Sequence, residues 1–154
     1  MPIQPDLTFR PATLDDLPFI VGLIHEDSVV DSGEDPDPLA PPYRDAFAAI
    51  DADPNQMLMI AEIAGTPVGT FQLTFTPGIA RQGQWRCTIE AVHVAPGHRS
   101  KGIGAAMMDW AVETAKARGC GMAQLTSNKL RKDAHRFYNR IGFSQSHEGF
   151  KRYL

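Results

Sequence analysis

The chain has 154 residues, of which 43% are hydrophobic and 21% charged, and its formal net charge is -3. This size and composition predict one compact domain spanning residues 1–154, with a core large enough to need no metal or disulfide staple, and they exclude disorder and fibrous repeats. The apolar runs Phe19–Ile24 and Met57–Ala61 are far too short to cross a bilayer, so no membrane partner is expected. The mild acidity argues against a nucleic-acid partner, which calls for a basic excess.

In chain order, Leu7–Pro11 reads as a first strand. Thr13, followed by Asp15 and Asp16, reads as the N-cap of a helix running to about Asp27, with Leu17, Ile20, Val21 and Ile24 on one apolar stripe. Asp31–Pro42 carries four prolines and is predicted as loop, and Tyr43–Ala52 as a second helix. Met57–Ile63 and Val68–Thr76, joined by Ala64-Gly65-Thr66-Pro67, predict a hairpin. After a turn over Pro77–Gln84, Trp85–Val94 is a long strand ended by Ala95-Pro96-Gly97. Ile103–Arg118 is a helix closed by Gly119, Met122–Thr126 a short strand, Leu130–Ile141 a helix stopped by Gly142, and Phe143–Leu154 a final pair of short strands. The order implies an α/β (α+β) fold, a single mixed, mostly antiparallel sheet with helices on both faces.

Charge is sorted along the chain. Nine acids stand against Arg44 alone between Glu26 and Asp53, whereas eleven lysines and arginines stand against four acids from His98 onward. The first region suits a cation and the second an anion, although both can be plain solvated faces. Cys87 and Cys120 form no Cys-x-x-Cys pair, and Met1–Asp6 lacks the basic and apolar regions of a secretory signal. A reducing cytoplasm is the expected location. His93, His98 and Cys87 can be drawn together as a metal site, but no paired-ligand spacing supports this, and no metal is expected. His25 and His135 read as surface or packing residues, and Trp85 and Trp110 as core or edge aromatics.

The chemistry sits in Val94-Ala95-Pro96-Gly97-His98-Arg99-Ser100-Lys101-Gly102-Ile103-Gly104-Ala105. A glycine-bearing turn from strand to helix exposes backbone N–H groups at the positive end of the helix dipole, where phosphates bind. The spelling is not a P-loop, because Gly102 is followed by Ile103-Gly104 and not by Lys-Ser/Thr. A dinucleotide fingerprint also fails, because the third glycine is replaced by Met107. Arg99-Ser100-Lys101-Gly102-Ile103-Gly104 does fit Arg/Gln-x-x-Gly-x-Gly/Ala, and Ala134-His135-Arg136-Phe137-Tyr138-Asn139-Arg140-Ile141-Gly142-Phe143 fits Ala-x-x-Phe-Tyr-x-x-x-Gly-Phe.

With both motifs in this order, the chain resembles the GNAT superfamily of acetyl-CoA-dependent N-acetyltransferases over nearly its whole length, most weakly over 30–52. The resemblance implies the GNAT fold and acetyl transfer from acetyl-CoA, as cosubstrate, to a primary amine of a small molecule or peptide. An alkyl ammonium is almost wholly protonated at neutral pH, which adds about 4 kcal/mol to the barrier unless a base takes the proton. The resemblance implies Glu90 as that base, directly or through water, and Tyr138 as the acid that protonates the leaving sulfur. It further implies a strand bulge that frees the backbone of Val92, His93 and Val94 to bind the cofactor, with the Val92 amide on the thioester carbonyl and Val94 pairing with pantetheine. Arg99, Ser100, Lys101, Gly102, Ile103, Gly104 and Ala105 would hold the pyrophosphate. Arg131 stands where many relatives carry an asparagine facing coenzyme A, and an arginine there can reach a phosphate.

The acidic loop Asp31–Pro42 falls where the family builds its acceptor site, so a cationic acceptor is expected. Relatives pair through their C-terminal strands, which admits a homodimer. The alternative function is a non-catalytic module of the same fold that binds acetyl-CoA as a sensor or partner domain.

Overall fold

The computed structural model describes residues 6–28 and 31–154; Met1–Pro5, most of the stretch read for a secretory signal, lies outside them. β1 (Leu7–Pro11) passes through a 3₁₀ turn (Leu14–Asp16) into α1 (Leu17–Asp27), and α2 (Pro41–Ala52) follows the acidic loop. The hairpin β2 (Gln56–Ile63) and β3 (Thr66–Pro77) leads to β4 (Trp85–Val94), α3 (Ile103–Ala117), β5 (Cys120–Gln124) and α4 (Lys132–Arg140). The sheet runs β1-β2-β3-β4-β5 in chain order. Its first four strands are antiparallel, and β5 lies parallel to β4 because α3 carries the chain back between them.

Local chemistry sets the element boundaries. Asp16 accepts the Thr13 N–H at 2.7 Å, and Pro18 stands in the first turn of α1, where no N–H is needed. For the same reason Pro41 and Pro42 begin α2, two positions before the helix start expected at Tyr43. The turn after β3 contains a helical turn, Ala80–Gly83, with Arg81 and Gln82 in left-handed backbone at φ 54° and 61°.

The sheet is covered on both faces. Met59, Leu73, Cys87 and Ile89 pack under Ile103, Met107 and Ala111 of α3, and Ile60 packs with Ala12 and Ile20 under α1 and α2. Gly69 brings α3 close to β3, since a Cβ there would lie 2.9 Å from the Met107 sulfur and 3.0 Å from the His93 carbonyl oxygen. Trp110 stacks within an aromatic group with Phe9 and Phe71.

The strands expected over Phe143–Leu154 are not formed. Phe143 turns back onto α4 through its N–H to the Tyr138 carbonyl at 3.0 Å, and the next residues, Ser144-Gln145-Ser146-His147-Glu148-Gly149, are polar. With no alternating apolar side chains there is no face to bury, and Phe150, Tyr153 and Leu154 end exposed. No helix among the described residues is long and apolar enough to cross a membrane.

Candidate active site

The site begins where β4 and β5 part. Their register runs Trp85 with Cys120 to Thr88 with Gln124, where the Gln124 amide donates to the Thr88 hydroxyl at 3.1 Å. β5 ends there, and Ile89–Val94 of β4 has no β5 partner among the described residues, so one strand edge is left open between the sheet and α4. An open strand edge offers N–H and C=O groups to an extended, amide-bearing ligand.

On that edge β4 is bulged. Thr70 pairs with His93 and Gln72 with Glu90, so Phe71 alone faces both Ala91 and Val92, and Ala91 takes φ 52°. The bulge changes which side chains share a face. Ile89, Val92 and Val94 face the α3 core, while Glu90 and His93, an odd number of residues apart, both face the α1 side. Glu90 is exposed there beside a neutral polar floor in which Gln72 and Thr74 both donate to the Gln56 side-chain carbonyl at 3.1 and 2.9 Å. Cys87 lies in the opposite core, where burial pushes its thiol up to about 11. It cannot join His93 and His98 around one ion, and no group of metal-ligating residues is gathered among the described residues.

Beyond Val94 the chain makes a left-handed cradle. Gly97, Ser100 and Gly102 have φ of 82°, 61° and 83°, and Gly102 is the N-cap of α3 with no side-chain cap. The first loop-to-helix backbone bond is Ala106 N–H to the Gly102 carbonyl at 3.0 Å, which leaves the preceding amides turned outward at the positive helix end. Ile103 contributes only its amide, since its side chain is buried under the sheet. Lys101 and Ser100 are exposed, Ala105 lies in the first turn, and Gly104 sits 3.5 Å by its would-be Cβ from the Phe137 ring of α4.

On α4, Tyr138 packs against Phe137 and Phe143 at ring separations of 5.2 and 6.2 Å. Burial raises the Tyr138 hydroxyl above the ordinary tyrosine range, and Arg131 at the head of α4 pulls the other way. The hydroxyl therefore keeps its proton at neutral pH and is available as a donor. Between β5 and α4 the Ser127 hydroxyl is buried with no hydrogen-bond partner among the described residues. An outward amide cradle, an open strand edge and an orphaned hydroxyl fit a ligand with phosphates at one end and amides along its length, as acetyl-CoA has.

One site residue has no sequence signal. Asp27, the last residue of α1, accepts from His93 Nδ1 at 2.6 Å with one oxygen and from the Arg99 guanidinium at 2.6 Å with the other. Arg99 also donates to the Val94 carbonyl at 3.0 Å. The Arg99 side chain, expected on the pyrophosphate, thus ties the loop to the end of α1 as a clasp. Asp27 stood only as one of nine acids in a run, because nothing local marks a partner so far along the chain.

An acetyltransferase (GNAT) family model matches residues 23–143. The chain is similar to the aminoalkylphosphonate N-acetyltransferase of Salmonella typhimurium, 37% identical over 73% of this chain and 72% of that protein. A Bacillus halodurans C-125 protein described as a transcriptional regulator has a closely similar structure, with TM-score 0.91 and 42% identity over 96% of this chain and 99% of that one. The structure of a predicted acetyltransferase from Clostridium acetobutylicum with acetyl-CoA shares the fold at TM-score 0.73 and 21% identity, over 96% of both chains.

Proposed function

Because the chain belongs to the acetyltransferase (GNAT) family, we propose that it moves the acetyl group of acetyl-CoA directly onto a primary amine of a small molecule or peptide. The observation that carries this reading is the parting of β4 from β5 beside the uncapped start of α3, a slot with an anion cradle at one end. The amides of Ser100, Lys101, Gly102, Ile103, Gly104 and Ala105 hold the pyrophosphate, with Lys101 and Arg131 adding positive charge and Arg99 bracing the loop. The Val94 backbone pairs with pantetheine, and the Val92 N–H meets the oxygen on which charge develops.

In the reaction the amine nitrogen bonds to the thioester carbon as the carbon–sulfur bond breaks. Glu90, exposed on the acceptor face, takes the ammonium proton directly or through water. Tyr138 gives its proton to the leaving thiolate, a good leaving group that needs less help than the amine. The named activity of the Salmonella relative, on aminoalkylphosphonates, puts such a zwitterion on the acceptor panel beside the cationic amines that the acidic N-terminal region favours.

The test is thiol release from acetyl-CoA against a polyamine, an aminoglycoside, a lysine peptide and an aminoalkylphosphonate. Amine-dependent release with at least one of them is expected. Tight acetyl-CoA binding with no release on any amine would instead establish the binding module.

A further inference from the structure

We propose that His93 is a second proton acceptor in the transfer step and that Asp27 is the residue that positions it, an assignment that rests on the acetyltransferase reading above. The Asp27 carboxylate is mostly buried, with its side chain 16% exposed, and one of its oxygens is held by the Arg99 guanidinium. An ionised carboxylate can only accept, so the 2.6 Å contact places the imidazole proton on Nδ1 and leaves the Nε2 lone pair free. Among the described residues Nε2 has no hydrogen-bond partner, yet it is not one of the buried atoms left unsatisfied. The His93 side chain is 12% exposed, and the bulge at Ala91 puts it on the face that carries Glu90.

This arrangement does more than tie a loop down, because Arg99 alone already joins Asp27 to the Val94 carbonyl. The charged groups facing His93 are Asp27 from α1, Arg99 from the loop and Glu90 on its own strand. Its partner on β3 is the uncharged Thr70, whose hydroxyl is spent on the Met59 carbonyl at 2.9 Å. The Nε2 lone pair can accept a proton from an ammonium by way of Glu90 or its water and pass it on within a turnover. The balance is complete: the ammonium loses one proton to Nε2, nitrogen replaces sulfur on the acetyl carbon and sheds its second proton to solvent, and the sulfur takes the Tyr138 proton. The imidazolium, held opposite Asp27, returns its proton to solvent, and Tyr138 regains one.

His93→Asn separates this role from the clasp, because the asparagine amide keeps an N–H facing Asp27 and removes the base at Nε2. The variant should bind acetyl-CoA within about twofold of wild type, lose roughly 10²-fold in kcat/KM for the acceptor, and lose the acidic limb of its pH profile. Glu90→Gln should lower the rate with that limb still present. Independently of turnover, ¹⁵N spectra of the imidazole should show the Nδ1–H tautomer in wild type and its loss in Asp27→Asn. A wild-type acidic limb and rate in His93→Asn, or an Nε2–H tautomer in the wild type, overturns the assignment while the acetyltransferase reading stands. A wild type idle on every amine overturns that reading, and the assignment falls with it.

Discussion

Asp16 joins the first strand to the first helix by itself: Arg10 donates to both of its oxygens at 2.7 and 2.9 Å, the Thr13 N–H reaches it at 2.7 Å, and it is 7% exposed. The Arg10 guanidinium holds the Asp16 carboxyl below its ordinary range. A depressed carboxyl stabilises the fold above the pH where the unfolded chain's own aspartate titrates, and that stability is lost as pH falls through the folded value. Asp16→Asn should therefore cost about 1–3 kcal/mol at neutral pH, and the gap from wild type should narrow as the pH is taken down to about 2. Denaturant unfolding at both pH values checks this, and a gap that does not change with pH would show that packing, not charge, was lost. Tyr138 is the opposite case, a group whose proton is retained by burial. Tyr138→Phe keeps the aromatic packing against Phe137 and Phe143 and removes only the hydroxyl, so the melting temperature should hold while kcat falls by at least about tenfold. An unchanged kcat would exclude Tyr138 as the acid.

Glycine spacing made the turn into α3 legible from the sequence, and the structure gives it a backbone reason at one position in particular. Gly102 caps α3 at φ 83°, where a β-branched side chain is strained, whereas Gly104 is helical and a Cβ there would meet Phe137 at an ordinary 3.5 Å. Gly102→Val should raise the acetyl-CoA Kd by about tenfold or more, in line with left-handed strain of about 1–2 kcal/mol, with the fold kept. Gly104→Ala should fold as wild type. Calorimetric titration with acetyl-CoA and a thermal melt separate the two effects. Apolar period and turn chemistry located the sheet and helices in the same way, because both signals are local. Two features were not local. The bulge at Ala91 depends on the pairing of β4 with β3, and without it Glu90 and His93 would be assigned to opposite faces. Asp27 meets His93 and Arg99 only once α1 lies on β4. The strands read over Phe143–Leu154 fail on local grounds, because the polar run Ser144–Gly149 has too little apolar alternation to form them.

Over the whole molecule, charge that looked like one acidic block divides between structure and field. In the loop before α2, Asp31 accepts the Gly33 N–H at 2.9 Å, Asp35 the Asp37 N–H at 2.8 Å and Asp37 the Leu39 N–H at 2.9 Å, while Tyr43 donates to Glu34 at 2.6 Å. These carboxylates fold the loop on itself, which accounts for their spacing without any ligand. Asp31, Asp35 and Asp37 stay exposed, and exposed carboxylates set up a field that extends beyond the loop itself. A field of exposed charges is long-ranged only while salt is low: the screening length falls from about 30 Å at 0.01 M to about 8 Å at 0.15 M. If it draws a cationic acceptor, the acceptor KM should climb several-fold across that range, and more steeply for a polyamine than for a zwitterionic aminoalkylphosphonate. Acetyl-CoA contacts the cradle amides directly, over distances shorter than any screening length, so its KM should rise less. Initial rates at four or five salt concentrations with each acceptor give the slopes. Equal slopes for the polyamine, the zwitterion and acetyl-CoA would reduce the acidic region to loop folding and leave acceptor choice to the neutral floor of Gln56, Gln72 and Thr74.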